Sequence, residues 1–404
     1  VEQGFLPNFT PMKRLRILHT VESYYPEVHG MAEVVRRLST ALAEFGHEVH
    51  VAARVHPQRN DGLYDSVYVH GFDVAGSIVW GIDGSEAEKY RRFVIEGGFD
   101  IVTCFAAQQW ATDLLLDVLE EIPSKKVHVP TGFSGLFRPE FSAYFDKMKQ
   151  WVHGFNAHIV LSDSYRDTVF LKNAGIQNCF LIPNGASEKE FSASTVLDVR
   201  KELDIPAHHK LLLHVGGFTH HKGHKELLQI MDCLQSKHVT LLMVCNNAAE
   251  LKKYFSFRLG SVKAFWMRLF HRKNILVRTL NRQQTVDAFK QADVFVFPSN
   301  IECSPIVLFE SMAAKLPFVS SEAGNAAEII HWSKGGMLLP GVADKNGYTK
   351  VHIRKSAEII DSLLTDTTLR RHLAASGYAA WSERFTWEAI AKQYEKVYES
   401  LVNS

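Results

Sequence analysis

No apolar run in this 404-residue chain reaches the roughly 18 residues of a membrane-spanning helix, and residues 1–11 lack a basic-then-apolar leader pattern. Both absences set the expectation of a cytoplasmic protein, with residues 1–11 as a tail that carries no fold signal. The five cysteines, Cys104, Cys179, Cys233, Cys245 and Cys303, are widely spaced and include no Cys-x-x-Cys pair, so they read as free thiols in a reducing compartment. An excess of either charge is also missing. With 45 Lys plus Arg against 44 Asp plus Glu, global charge favours neither nucleic acid nor an acidic substrate. Neither half carries Gly-x-Gly-x-x-Gly after its first strand, which argues against a dinucleotide-dependent oxidoreductase.

What is present suits two domains of roughly 200 residues each, since 404 residues exceed one ordinary core. A hydrophobic content of 46% with 22% charged residues is that of a soluble globular chain. Arg16 to Thr20 reads as a first strand, Met31, Val34, Val35, Leu38 and Leu42 recur at helical spacing, and Val49 to Ala53 starts a second strand. This βαβ unit opens its first loop at the carboxyl edge of a parallel sheet. Further strands are expected at 101–104, 127–129, 159–161 and 179–182, with helices near 113–121, 141–152 and 164–174. Asn184-Gly185 then reads as a turn and the polar stretch 186–194 as a linker. A second αβ array begins at Lys210. The expected domains are therefore residues 1–185 and 186–384, followed by a closing helix in 385–404.

The most informative stretch runs from Asp293 to Glu310. Asp293 to Pro298 has the composition of a strand buried on both faces, ended by proline. Ser304 followed by Pro305 is a helix start in which serine caps the free amides and proline fills the first turn. The amides near Ile306 and Val307 then point from a helix N-terminus at the carboxyl end of a strand, where a nucleotide diphosphate would fit. Glu302 precedes this helix and Glu310 lies inside it, so the two carboxylates would address different parts of one long ligand. A second phosphate-holding turn is Gly216 to Gly223. Glycines there, Gly216 among them, let backbone amides approach, and Lys222 supplies a point charge.

Glu302-x7-Glu310 across a strand-to-helix turn, followed by residues 312–319 and by Gly324 to Glu328, resembles the signature of glycosyltransferase family 4. The family comprises retaining enzymes of the GT-B fold: two Rossmann-like, doubly wound α/β domains facing each other across a cleft. The resemblance implies that Glu310 binds the nucleotide ribose and Glu302 approaches the donor sugar. On this reading, replacing Glu310 should weaken donor binding and leave the fold intact. The loop Glu22 to Gly30 resembles the family's glycine-rich loop, with Gly30 as the second of its paired glycines. His29 replaces the first, either crowding the backbone or lending a donor to phosphate. An arginine common in the family is replaced by Gly217. Thr131 holds the place of a histidine that many relatives set beside the reacting carbon, whereas His128 reads as a core histidine. The closing helix is expected to cross back onto the first domain.

The resemblance thus implies transfer of a sugar, with retention, from a nucleotide-diphospho-sugar, a UDP-sugar by preference, to a hydroxyl of a lipid-linked or polysaccharide precursor. Neither a metal nor another cofactor is expected, and His220, His221 and His224 lack the spacing of a metal motif. A non-catalytic sugar-nucleotide-binding or scaffold protein stays open, given the departures at His29, Thr131 and Gly217. Seven basic residues between Lys252 and Lys273, interleaved with aromatics, suit an anionic membrane at the inner face, and equally a solvated amphipathic helix.

Overall fold

The computed structural model of the protein describes residues 13–27, 29–219, 221–251, 253 and 272–404. The expected tail, His220 and nearly all of the basic and aromatic segment lie outside the described residues. Lys273 is described, and it corrects the expectation of a surface cation. It opens the strand Lys273–Arg278, is only 3% exposed, and donates to the carbonyls of Met231 at 2.9 Å and Leu234 at 2.6 Å.

Two doubly wound domains are present, as the alternation of strands and helices predicts. The first sheet runs in the order 179–181, 157–160, 125–129, 101–105, 16–20, 48–54, 67–72 and 62–64, parallel throughout except for the antiparallel last pair. The second, wholly parallel, runs 273–278, 239–244, 210–215, 294–297, 318–320 and 336–338. Both sheets reverse direction of growth beside their first strand, between 16–20 and 101–105 and between 210–215 and 294–297. Successive loops at such a switch point diverge to opposite faces and leave a crevice at the strands' carboxyl ends. The strands read as unbroken apolar runs because helices cover both faces; all six residues of Val239–Val244 are buried.

Each sheet separates two hydrophobic clusters, and the clusters tie the far end of the chain to its beginning. The helix Trp387–Val402 places Trp387, Ile390, Tyr394 and Tyr398 in the same cluster as Ile17, Val35, Leu38 and Val51. Tyr398 is fully buried, and its hydroxyl lies 2.7 Å from Thr103 Oγ1 and 3.2 Å from His19 Nε2. Burying such a side chain stabilises the fold by roughly 1.5–3 kcal/mol, and the two partners offset desolvation of the hydroxyl.

The chain passes between domains twice, and the two passages lie side by side. Ala186 pairs with Thr386, the Ala186 amide donates to Phe385 O at 3.0 Å, and Trp381 Nε1 donates to Ala186 O at 3.3 Å. Gly185 permits this approach, since a Cβ there would lie 2.6 Å from Phe385 O. The polar stretch read as a linker is partly folded. Ser187 caps the helix Glu188–Ser192, and Phe191 is buried in the second domain, an anchor hidden among polar neighbours. The helix expected near 113–121 is also broken, into Trp110–Asp113 and a 3-10 turn Leu116–Glu121. The Asp113 carboxylate is drawn inward to accept from the Ile78 amide at 2.9 Å and Tyr144 Oη at 2.7 Å.

Candidate functional site

At the second domain's switch point, the strand Val294–Phe297 feeds the loop 298–305, and Lys210–Val215 feeds the loop 216–223. Gly223 locks the two together. Its φ is +74°, and a Cβ there would stand 2.1 Å from Pro298 O, so only glycine allows the approach. Asn300 N donates to His221 O at 2.7 Å and Asn300 Nδ2 to Thr349 O at 2.9 Å, fixing the second loop.

These loops bring Lys222 onto Glu302. Lys222 Nζ lies 2.6 Å from Glu302 Oε1, and Ser299 Oγ donates to the same oxygen at 2.6 Å. The carboxylate is nearly enclosed, with 11% of its side chain exposed against 29% for the lysine. Gly216 packs alongside, its would-be Cβ 3.6 Å from the lysine stem.

The following helix begins at Ile306 rather than at Pro305, and Ser304 does not cap it. Proline is the flanking residue, and Ser304 Oγ instead accepts from Asn325 Nδ2 at 3.2 Å, while Ser304 O accepts from Asn184 Nδ2 at 2.9 Å. The serine thus ties the loop to its neighbours and leaves the first helical amides, those of Ile306 and Val307, without a capping side chain. Such orphan donors form an anion-binding end. Ile306 itself packs against the first domain's core, which sets this helix end at the boundary between domains.

Thr131 approaches from the other side. Its φ is +56°, in a run with Gly132 at +98° and Phe133 at +44°. A β-branched residue in the left-handed region is strained, and such strain persists where the surroundings hold it. Here the Gly132 amide donates to the buried Asp167 carboxylate at 2.7 Å, and Gly132 lies against Cys303, where a Cβ would be 2.8 Å from the cysteine Cβ. The Thr131 turn therefore abuts the residue after Glu302. His128 points elsewhere: it is fully buried, stacks on Phe155 at 4.7 Å, and burial holds its pKa well below the usual histidine range.

Gly30 opens the helix Gly30–Glu44, and a Cβ there would meet nothing within 4 Å. The ring of His29 is committed locally, with Nδ1 accepting from the Ala32 amide at 3.5 Å and Nε2 against Ser23 Oγ. It is a helix cap. His221 stacks on Tyr348, and His224 turns into the core against His214, where burial lowers its pKa to about 4. These two histidines do not converge.

Glu310 is 3% exposed, and its Oε1 lies 2.6 Å from Arg282 Nη1. Arg282 Nη2 also holds Glu190 Oε2 at 2.6 Å, and Glu190 pairs with Arg37, which pairs with Glu33. A chain of alternating charge therefore runs from Glu310 to the first domain's opening helix. Burial pushes the Glu310 carboxyl above its usual range, and Arg282 opposes that shift. Burial would likewise raise Glu190, but Arg282 and Arg37 outweigh it and leave that carboxyl lowered. Sequence reasoning missed Arg282: its visible role is in a helix start capped by Asn281 and Gln284, and the pairing with Glu310 is not local. It also missed Glu328 as a fastener. Glu328 accepts from Ser162 Oγ at 2.9 Å and Ser164 Oγ at 2.6 Å, across the domain boundary.

Two family models match, "Glycosyltransferase Family 4" over residues 28–189 and "Glycosyl transferases group 1" over residues 197–380. An uncharacterized glycosyltransferase of Methanocaldococcus jannaschii is 26% identical, covering 95% of this chain and 98% of its own. The N-acetyl-alpha-D-glucosaminyl L-malate synthase of Bacillus anthracis is 22% identical, covering 94% of this chain and 96% of its own. Among solved structures, sucrose-phosphate synthase of Thermosynechococcus elongatus matches with a TM-score of 0.74 and 20% identity over 96% of this chain and 99% of its own. HepE of Anabaena in complex with UDP-glucose matches at 0.70 and 16% over 96% of this chain and 100% of its own.

Proposed function

Because the chain belongs to the family 4-like glycosyltransferases of GT-B fold, we propose that it moves a sugar from a nucleotide-diphospho-sugar, a UDP-sugar, to a hydroxyl acceptor with retention of anomeric configuration. The observation that carries this reading is the Lys222–Glu302 pair at the second domain's switch point, beside the open N-terminus of the helix Ile306–Ala313.

Lys222 and the amides of Ile306 and Val307 would take the diphosphate, with the backbone of Gly216 and Gly30 lining its approach. Ammonium and helix dipole both favour the charge that develops on the departing phosphate. Glu310 would accept from the ribose through the oxygen left over by Arg282. Glu302, held by Lys222 and Ser299, would face the transferred sugar, with Thr131 opposite it. In the transfer, the bond from the anomeric carbon to the donor phosphate oxygen breaks and the bond to the acceptor oxygen forms on the same face. The departing phosphate oxygen takes the acceptor's proton, so no side-chain nucleophile and no metal is needed.

Lys222→Ala tests the phosphate assignment. It should weaken UDP and UDP-sugar binding by about tenfold to a hundredfold, the worth of a charge-assisted hydrogen bond, and leave uridine binding nearly unchanged. Calorimetric titration of the three ligands checks it, and equal weakening of all three would point to a structural defect. The acceptor is proposed to be a lipid-linked or polysaccharide precursor, with the basic residues of 252–272 holding the enzyme at an anionic surface. Each cation that reaches the surface contributes about 1 kcal/mol. The chain should therefore float with anionic vesicles at low salt and be released near 1 M, where the Debye length is about 3 Å. Failure to float at low salt would end that part of the proposal.

A further inference from the structure

Three histidines meet at the end of the second domain opposite the cleft. His209 precedes the strand Lys210–Val215 and His238 precedes its neighbour Val239–Val244; the Lys210 amide donates to His238 O at 2.8 Å. His208 completes the group. The ring centres stand 4.9 Å apart for His208 and His209, 4.7 Å for His208 and His238, and 5.5 Å for His209 and His238. One ring nitrogen from each lies within 4.8 Å of the others, the only such group of three or more potential ligands among the described residues.

Those spacings match one central ion. With metal–nitrogen bonds of about 2.0–2.1 Å and tetrahedral angles, three imidazoles set their centres about 5 Å apart and their ligating nitrogens about 3.4 Å apart. The centres are already in place, and small ring rotations close the nitrogens. His208 is exposed and free to turn. His209 Nδ1 lies 2.9 Å from Thr240 Oγ1, and with Nδ1–H donating there, Nε2 keeps its lone pair for a ligand. That is the outer hydrogen bond by which ligating histidines are commonly oriented. Burial, with two neighbouring imidazoles, lowers His209 from the usual histidine range, which favours the neutral form that a ligating ring requires. His238 Nδ1 is buried and has no hydrogen-bond partner.

We propose that His208, His209 and His238 form a binding site for a borderline divalent transition ion, Zn2+ by preference, remote from the transfer chemistry. Three neutral imidazoles with no carboxylate or thiolate suit zinc and its neighbours in the series and offer little to Mg2+ or Ca2+. The fourth position is left to water. The intervening strand of six residues spans about 20 Å, which removes the ion from the cleft. Its effect is mechanical: it would join two adjacent strands and the preceding turn at their amino ends. One group competes with it. Arg272 Nη1 donates to His238 Nε2 at 3.1 Å, and ligation through Nδ1 puts the proton on Nε2, so the exposed arginine must swing away.

The test uses the tag-free 404-residue chain, stripped with a chelator and titrated with Zn2+ against an indicator and with Co2+ by visible absorption. One equivalent should bind, with the intense visible bands of tetrahedral Co2+ and a rise in melting temperature. His208→Ala and His238→Ala should each lower affinity about tenfold or more, and Arg272→Ala should raise it. His208 is exposed, so its variant folds even where loss of His238 proves disruptive. Absence of stoichiometric binding at micromolar Zn2+, affinity unchanged in both histidine variants, or only the weak absorption of octahedral Co2+ would overturn the site and leave three packed rings.

Discussion

Glu302→Gln is expected to lower the rate of sugar transfer by about a hundredfold to a thousandfold, the scale of losing one preorganised electrostatic group at a reacting centre. The amide fills the same space, and its oxygen can still accept from Ser299 Oγ, which now stands 2.6 Å from the carboxylate. What disappears is the negative charge proposed to face the sugar, and with it the charged partner of Lys222. That lysine is then free for phosphate, so UDP affinity should hold or rise slightly while turnover falls. Steady-state rates beside calorimetric UDP binding separate the two effects. A variant transferring at the wild-type rate would remove Glu302 from the reacting end.

Glu310→Ala should fail in two ways at once. A lost hydrogen bond from ribose to a charged acceptor weakens nucleotide binding by roughly 1.5–3 kcal/mol, on the order of tenfold to more than a hundredfold. The structure adds a second cost that the sequence did not suggest, because the carboxylate is buried against Arg282. Breaking a fully buried pair costs about 3–5 kcal/mol. Arg282 keeps Glu190 and some contact with water, which places the expected loss of folding stability nearer 2–4 kcal/mol by the same reasoning. Expectation of an intact fold is revised accordingly: urea unfolding should show a lower midpoint, while Glu310→Gln, which keeps the shape and an acceptor, should recover much of the stability and less of the affinity. Unchanged stability and unchanged UDP affinity in the alanine variant together would place Glu310 outside the nucleotide site.

What could be read before the structure was whatever depends on near neighbours. Asp293 to Pro298 shows its burial by composition, and Gly216 to Gly223 shows a strand-to-helix turn by its closely spaced glycines. Two doubly wound domains followed from strands alternating with helices. Hidden were the pairings that folding alone creates. Lys222 meets Glu302 across 80 positions of sequence. Arg282 and Glu310 lie on different helices, and Glu328 closes on serines of the other domain. Ser304 misled because a serine before proline is a sound cap in isolation, yet Asn325 offers its hydroxyl a better use. Lys273 misled in the same way: the charge marked a surface, and two free carbonyls at the end of a helix drew it inside.

The side-by-side passage of residues 184–187 and 385–387 would serve as a pivot of two strands, resisting twisting and leaving opening and shutting as the softer motion. In rotation about an axis, displacement grows with the lever arm. Glu190 sits four residues from Ala186, so its clasp on Arg37 and Arg282 would shift least, and Glu310 behind it would stay assembled between turnovers. Thr131 and Glu302 ride on opposite jaws. The nucleotide end of the cleft would then be standing architecture, and the sugar end would exist only while the jaws are shut.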